Sequence, residues 1–188
     1  HGVTVTVWLP SKVGNGGGKA GRGMIEANGR RIAVRWTQAG GSAEFRVQYP
    51  GNTQTWDEWH PALQSLRLRL RGPGADDART VSFGFVQVAA RGTDILVNGR
   101  PVFLRGTHDG GDFPLTGYPP TDVAYWKKIF AINKAWGINH IRFHSFTPPD
   151  AAFQAADDVG IYLQIEPGMW NRFEPGSPIE AMLYDETE

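Results

Sequence analysis

The chain has 188 residues, 40% hydrophobic and 12% aromatic, which suffices for one large domain or two small ones with packed cores. Its 19 Lys and Arg balance 19 Asp and Glu, so total charge supplies no basic field for nucleic acid or an anionic membrane and favours a neutral polymer or small molecule. It has no cysteine, which excludes disulfides and thiolate chemistry, and no apolar run approaching the ~20 residues of a transmembrane helix.

The first half alternates apolar and polar residues over short runs separated by glycine-rich turns. Residues 3–8 (VTVTVW), 31–36 (RIAVRW), 43–47 (AEFRV), 66–70 (LRLRL) and 80–83 (TVSF) each send one set of side chains to either face, the pattern of half-buried antiparallel strands. A turn-spaced series over ~95 residues predicts a β-sandwich of immunoglobulin-like kind. The glycine-rich segment 14–23, GNGGGKAGRG, reads as a flexible loop; its spacing fits neither GxxxxGK[ST] nor GxGxxG, which argues against a phosphate cradle. The texture changes near residues 91–98, so domains of 1–96 and 97–188 are expected.

The second half reads as strand, helix, strand, helix, strand, with polar residues gathered at the strand ends. VNGRPVFLRGTHDGG (97–111) leads through a glycine- and proline-rich loop to a helix expected over 122–136, capped by Thr121 and stopped at Gly137. Apolar residues at 123, 126, 129, 130 and 132 follow helical spacing, with Trp126 and Trp136 expected in its core. In 140–144, HIRFH, the two-residue period puts His140, Arg142 and His144 on one face and Ile141 and Phe143 on the other. A second helix is expected from Thr147, with Pro148 and Pro149 in its first turn, Asp150 favourable to its dipole, and Gly160 ending it. The strand 161–166 then directs Tyr162, Gln164 and Glu166 one way and Ile161, Leu163 and Ile165 the other. Crossovers of this length suit parallel strands. An ordinary buried parallel strand is apolar on both faces, so an inward-facing Arg, His and Glu need partners or a function.

Three motifs, WDEWHPAL (56–63), FGF (83–85) and VNGRPVFLRG (97–106), continuing through GINHIR (137–142) and ADDVGI (156–161), together resemble glycoside hydrolase family 2, over roughly residues 56 to 170. That family includes β-galactosidases, β-glucuronidases and β-mannosidases. The resemblance implies an immunoglobulin-like sandwich followed by a (β/α)₈ TIM barrel, of which this chain supplies only the first βα units. It implies retaining hydrolysis of O-glycosidic bonds in oligo- or polysaccharides by two glutamates, one protonating the leaving oxygen and the other attacking the anomeric carbon. In the family these lie after the fourth and at the seventh barrel strand, beyond this chain, so it reads as an internal fragment that is inactive alone. A jelly roll that usually precedes the sandwich is expected to be missing as well.

On the same resemblance, Arg142 matches the arginine ending the second barrel strand and Glu166 an acidic residue ending the third. His144 stands near the family's strand-two histidine, with a spacing of two residues where three is usual. His108 and Asp109 fall where polar residues follow the first strand. Trp170 is read from its residue type alone, as a platform for a pyranose or equally as packing at the barrel rim. Arg142, His144, Glu166, His108, Asp109 and Trp170 are thus the substrate-binding residues expected, with no catalytic residue, cofactor or metal. The partners expected are a carbohydrate substrate, the rest of the parent chain and, through apolar surface on an open half-barrel, further copies in a homo-oligomer; neither nucleic acid nor a membrane is expected. A secreted or periplasmic parent is favoured.

Other readings of the same residues stand beside these. Arg142 and Glu166 could form a structural ion pair, His140 a satisfied core histidine, and Asp157 with Asp158 solvated or capping groups. His108, Asp109, Asp112 and His144 have the chemistry of metal ligands but lack tight spacing. A carbohydrate-binding or interaction module would be favoured by Trp36, Trp56 and Trp59 exposed on the sandwich, and a non-hydrolytic α/β enzyme by the barrel geometry alone.

Overall fold

The structure, a computed structural model, describes residues 1–9 and 20–167. The chain divides into two compact units, His1–Val102 and Phe103–Glu188. The division falls later than the expected change after residue 96, because a last hairpin holds residues 98–102 in the first unit. There the Val102 N–H donates to the Ile95 carbonyl at 2.9 Å and the Asn98 N–H to the Gln87 carbonyl at 2.8 Å.

The first unit is all β. Its strands are β1 (Gly2–Leu9), β2 (Gly21–Ala27), β3 (Arg30–Trp36), β4 (Gly41–Gln48), β5 (Leu63–Gly72), β6 (Ala75–Gly84), β7 (Val88–Arg91), β8 (Asp94–Val97) and β9 (Arg100–Pro101). They pair antiparallel as β1-β4, as a four-stranded sheet β3-β2-β5-β6, and as β7-β8-β9. Period-two alternation sends Leu9, Phe45 and Val47 from the first sheet, and Ile25, Val34, Trp36 and Leu66 from the second, into one shared core. That two-layer packing follows from the alternation noted above. Strand β2 was not expected: Gly21 and Gly23 lie inside it, where the sequence reads as loop. A Cβ at Gly21 would lie 2.5 Å from the indole of buried Trp36, so the glycine makes room for the ring rather than loosening the chain. The rest of the expected loop, 14–20, lies almost wholly outside the described residues.

The motif residues of the first unit meet in space. Trp56, almost fully buried, donates its backbone N–H to Phe85 at 2.8 Å, and a Cβ at Gly84 would lie 2.7 Å from the Trp56 Cβ. Asn98, at φ 51° in the Asn-Gly turn between β8 and β9, donates through Nδ2 to the Trp56 carbonyl at 2.9 Å and accepts the Gln87 N–H at 3.0 Å. The three motifs therefore form one interlocked corner.

The second unit alternates strand and helix: β10 (Gly106–Asp109), α1 (Val123–Ala135), β11 (His140–Phe143), α2 (Asp150–Val159) and β12 (Tyr162–Ile165). The strands are parallel in the order β10-β11-β12. Ile141, Phe143 and Ile161 pack with Trp126 and Phe130 of α1 and with Ala151, Ala152, Ala155 and Ala156 of α2. Alanines on α2 let it approach α1 closely, while the large rings of α1 fill the remaining volume.

Three local expectations are corrected. Helix α1 is capped by Asp122, whose carboxylate accepts the N–H groups of Ala124 and Tyr125 at 3.2 and 3.1 Å, and not by Thr121; two acceptor oxygens one residue nearer the first turn are the better partner for its free donors. Helix α2 starts at Asp150 with Pro149 at the cap position, later than Thr147, since each proline biases the residue before it away from helical geometry. Trp136 is 82% exposed, because it stands at the helix C-cap, beyond the stripe that buries Trp126.

Candidate functional site

The parallel register builds the site from alternation alone. Gly106, His140 and Tyr162 form one row across β10, β11 and β12, and His108, Arg142 and Gln164 form the next. His144 and Glu166 continue past the strand ends on the same parity. Since Ile141 and Phe143 hold the opposite face against the helices, the sheet presents a polar face that grows more polar toward its C-terminal edge.

At that edge the Arg142 Nε donates to Glu166 Oε1 at 2.6 Å, and the Ser145 backbone N–H donates to Glu166 Oε2 at 3.0 Å. Both carboxylate oxygens are thus engaged while the pair remains partly open, with 39% of the Arg142 and 27% of the Glu166 side chain exposed. The Arg142 hydrogen bond first, and the Ser145 N–H second, hold the Glu166 carboxyl below its ordinary value, outweighing desolvation. It is therefore an ionised acceptor and unsuited to donate a proton, which calls for a raised value. Ser145 takes a left-handed conformation, φ 60°, to aim its N–H at the carboxylate.

His108 and His144 meet edge to face with ring centroids 5.9 Å apart. The His144 N–H donates to the Asp109 carbonyl at 2.9 Å, tying β11 to β10 just past their paired region. Asp109 itself is paired with Phe143 in register, so it has the parity opposite to His108; its Oδ1 accepts the Gly111 N–H at 2.8 Å and closes the turn that follows. His140 is half-buried, and desolvation pushes its pKa down, which keeps the imidazole neutral. Gly106 leaves it space, since a Cβ there would lie 2.7 Å from His140 Nδ1.

Beside the edge lies a cleft of about 370 Å³, walled by Phe113, Tyr118, His144, Ser145 and Phe146 and by the glycines of the loop after β10. Aromatic walls with polar groups at one side suit a small polyhydroxylated ligand. Of the six residues expected to line a subsite, Arg142, Glu166, His144 and His108 are gathered at this edge, Asp109 is turned into the loop, and Trp170 lies outside the described residues. Gln164 stands on the inward face where the alternation placed it; Ser145 and Tyr118 were not anticipated, and Ser145 acts through its backbone and leaves no sequence signal.

Beneath the site, Asn139 is almost completely buried. Its Oδ1 accepts the Arg105 N–H at 2.7 Å and its Nδ2 donates to the Phe103 carbonyl at 3.1 Å, fixing the lead into β10 against β11. Asp158 pairs with Lys127 at 2.6 Å, linking α2 to α1, while burial and then the Asp158 charge raise Asp157; both lie on the helical layer. Among the described residues no group of three or more His, Asp or Glu side chains is placed to hold a metal ion. Trp36 and Trp56 are buried, whereas Trp59 is 69% exposed and Trp8 of β1 77% exposed.

No family model and no curated protein matches the sequence. Solved structures do match. A β-glucuronidase of Bacteroides uniformis is 17% identical, with 94% of this chain and 24% of that chain covered and a TM-score of 0.68. A family 2 glycosyl hydrolase of Bacteroides cellulosilyticus is 20% identical, with coverages of 88% and 24% and a TM-score of 0.69. A family 2 β-galacturonidase of Eisenbergiella tayi, bound to galacturonate, is 22% identical, with coverages of 89% and 30% and a TM-score of 0.65. The fold thus resembles that of family 2 glycoside hydrolases, as the motifs implied, and the chain spans less than a third of the length of these solved chains.

Proposed function

We propose that this chain is the immunoglobulin-like sandwich, His1–Val102, and the opening βα units, Phe103–Glu188, of the TIM barrel of a retaining family 2 glycoside hydrolase. On this reading it forms one wall of the subsite holding the non-reducing sugar, and the acid and nucleophile glutamates belong to later parts of a longer protein. The observation that carries the proposal is the Arg142–Glu166 pair, 2.6 Å apart at the C-terminal ends of adjacent parallel strands, the edge where α/β barrels bind substrate. The fold shared with family 2 enzymes supports the same reading.

The chemistry assigned to these residues is positioning. Glu166, held ionised, accepts hydrogen bonds from sugar hydroxyls; Arg142 fixes its orientation and adds a positive field for neighbouring carboxylates. His108 and His144 supply donors or acceptors to the ring, Asp109 shapes the loop above it, and Trp170 is assigned a stacking face. Retention requires two carboxyl groups ~5–5.5 Å apart across the glycosidic bond, and Glu166, bound on both oxygens, is neither of them.

The test is Arg142→Ala in the longer protein. A fall of about 100-fold or more in kcat/KM toward its best aryl glycoside is expected, with the melting temperature of the sandwich unchanged, since misplaced positioning groups cost on this scale. Activity within twofold of the parent would sink the proposal.

A further inference from the structure

The neutral total charge conceals a one-sided surface. On the four-stranded sheet, alternation turns Arg31 and Arg35 of β3, Arg22 of β2, and Arg67, Arg69 and Arg71 of β5 to the side away from the core. The opposing carboxylates on that face are Glu26 and Asp76. Glu26 lies 3.3 Å from Arg31 and 3.9 Å from Arg71, and Asp76 takes both oxygens to Arg69 at 3.0 and 2.8 Å. Six guanidinium groups against two carboxylates leave an excess of four positive charges. Arg22 and Arg35 are direct cross-strand partners, an arrangement of like charges that works against sheet stability. Around Arg30, Arg31, Arg67, Arg69 and Arg71 the face opens into a cleft of about 480 Å³ beside the Asn28–Gly29 turn.

We propose that this arginine face is an accessory site for a linear polysaccharide bearing carboxylates. Among the described residues, arginine rather than lysine supplies every cation of the face, and its planar fork matches carboxylate oxygens two at a time. Residues two apart on β5 repeat at ~6.6–6.8 Å, and strands lie ~4.8 Å apart, so the charges form a grid that a chain of repeated anions fills better than a single small one. Among the described residues the face carries no aromatic ring: between the arginines stand Met24, Ala33 and Ala78. It therefore lacks the stacking platforms that hold single-stranded nucleic acid and neutral sugars. That the repeating anion is a glycan rests on the function proposed above; that the face holds a polyanion does not.

The test is affinity electrophoresis of the 188-residue chain in gels containing polygalacturonate, with neutral dextran and duplex DNA in parallel. Retardation by polygalacturonate that weakens with added salt is expected, and at least a tenfold loss of affinity in the Arg67→Ser/Arg71→Ser double variant. An Arg79→Ser/Arg91→Ser variant, which removes the same charge from exposed sites elsewhere, should retain binding within twofold, and thermal melts of both variants report that the fold is kept. No retardation, equal loss in both variants, or tighter binding of DNA or dextran than of polygalacturonate would overturn the proposal. None of these outcomes depends on hydrolysis, so failure of the function proposed above would register separately, as absent turnover.

Discussion

Glu166 shows how one residue's environment decides its chemistry. Two donors aimed at its carboxylate make it a fixed negative acceptor, and the same donors tie it to stability. Its pKa is depressed on folding, so the contribution is present above the unfolded value of about 4.3 and is lost as pH falls through the lower folded value. Glu166→Gln should therefore lower the melting temperature at pH 7, and the gap to the parent chain should close as pH drops toward 3; a gap that persists at low pH would contradict the ionised state. His140, depressed by burial, acts in the same direction from about pH 6.5 downward. Asn139 has no such pH dependence but is equally committed. Asn139→Leu takes from the Arg105 N–H its 2.7 Å acceptor and from the Phe103 carbonyl one of its two donors, and a loss of about 1–3 kcal/mol in urea unfolding is expected.

At the scale of elements, the alternation of apolar and polar residues carried most of the architecture. Residues 3–8, 31–36, 43–47, 66–70 and 80–83 all lie in strands, and 140–143 with 162–165 form adjacent parallel strands with the expected polar face. Where the reading failed, the cause was specific. Strand β2 was hidden because the room Trp36 needs is made by glycines, which look like loop in a sequence. Trp136 was misplaced because the helical period continues past the point where the helix stops burying its face. The cap of α1 was misassigned because Thr121 and Asp122 both have capping side chains and only geometry selects between them. That correction is measurable: Asp122→Ala should cost about 1 kcal/mol and Thr121→Ala close to nothing, and the reverse order in thermal unfolding would restore Thr121.

At the scale of the molecule, two units of different texture follow each other, and each shows why total composition was a poor guide to surfaces. Equal numbers of acids and bases suggested no charged partner, yet six arginines share one sheet face with two carboxylates. The candidate site was legible because strand period and parallel pairing together fix which residues share an edge. The cleft beside it was not, since Tyr118 and Phe113 reach it from a loop whose course no period predicts. Hydrolysis of a panel of aryl β-glycosides decides whether the longer protein proposed above is a glycosidase. Galactoside, glucuronide, mannoside and galacturonide would be offered to that protein and to the 188-residue chain. Turnover of one of them by the longer protein, and none by the chain, is the result predicted; turnover by the chain alone, or by neither protein on any substrate, would contradict it.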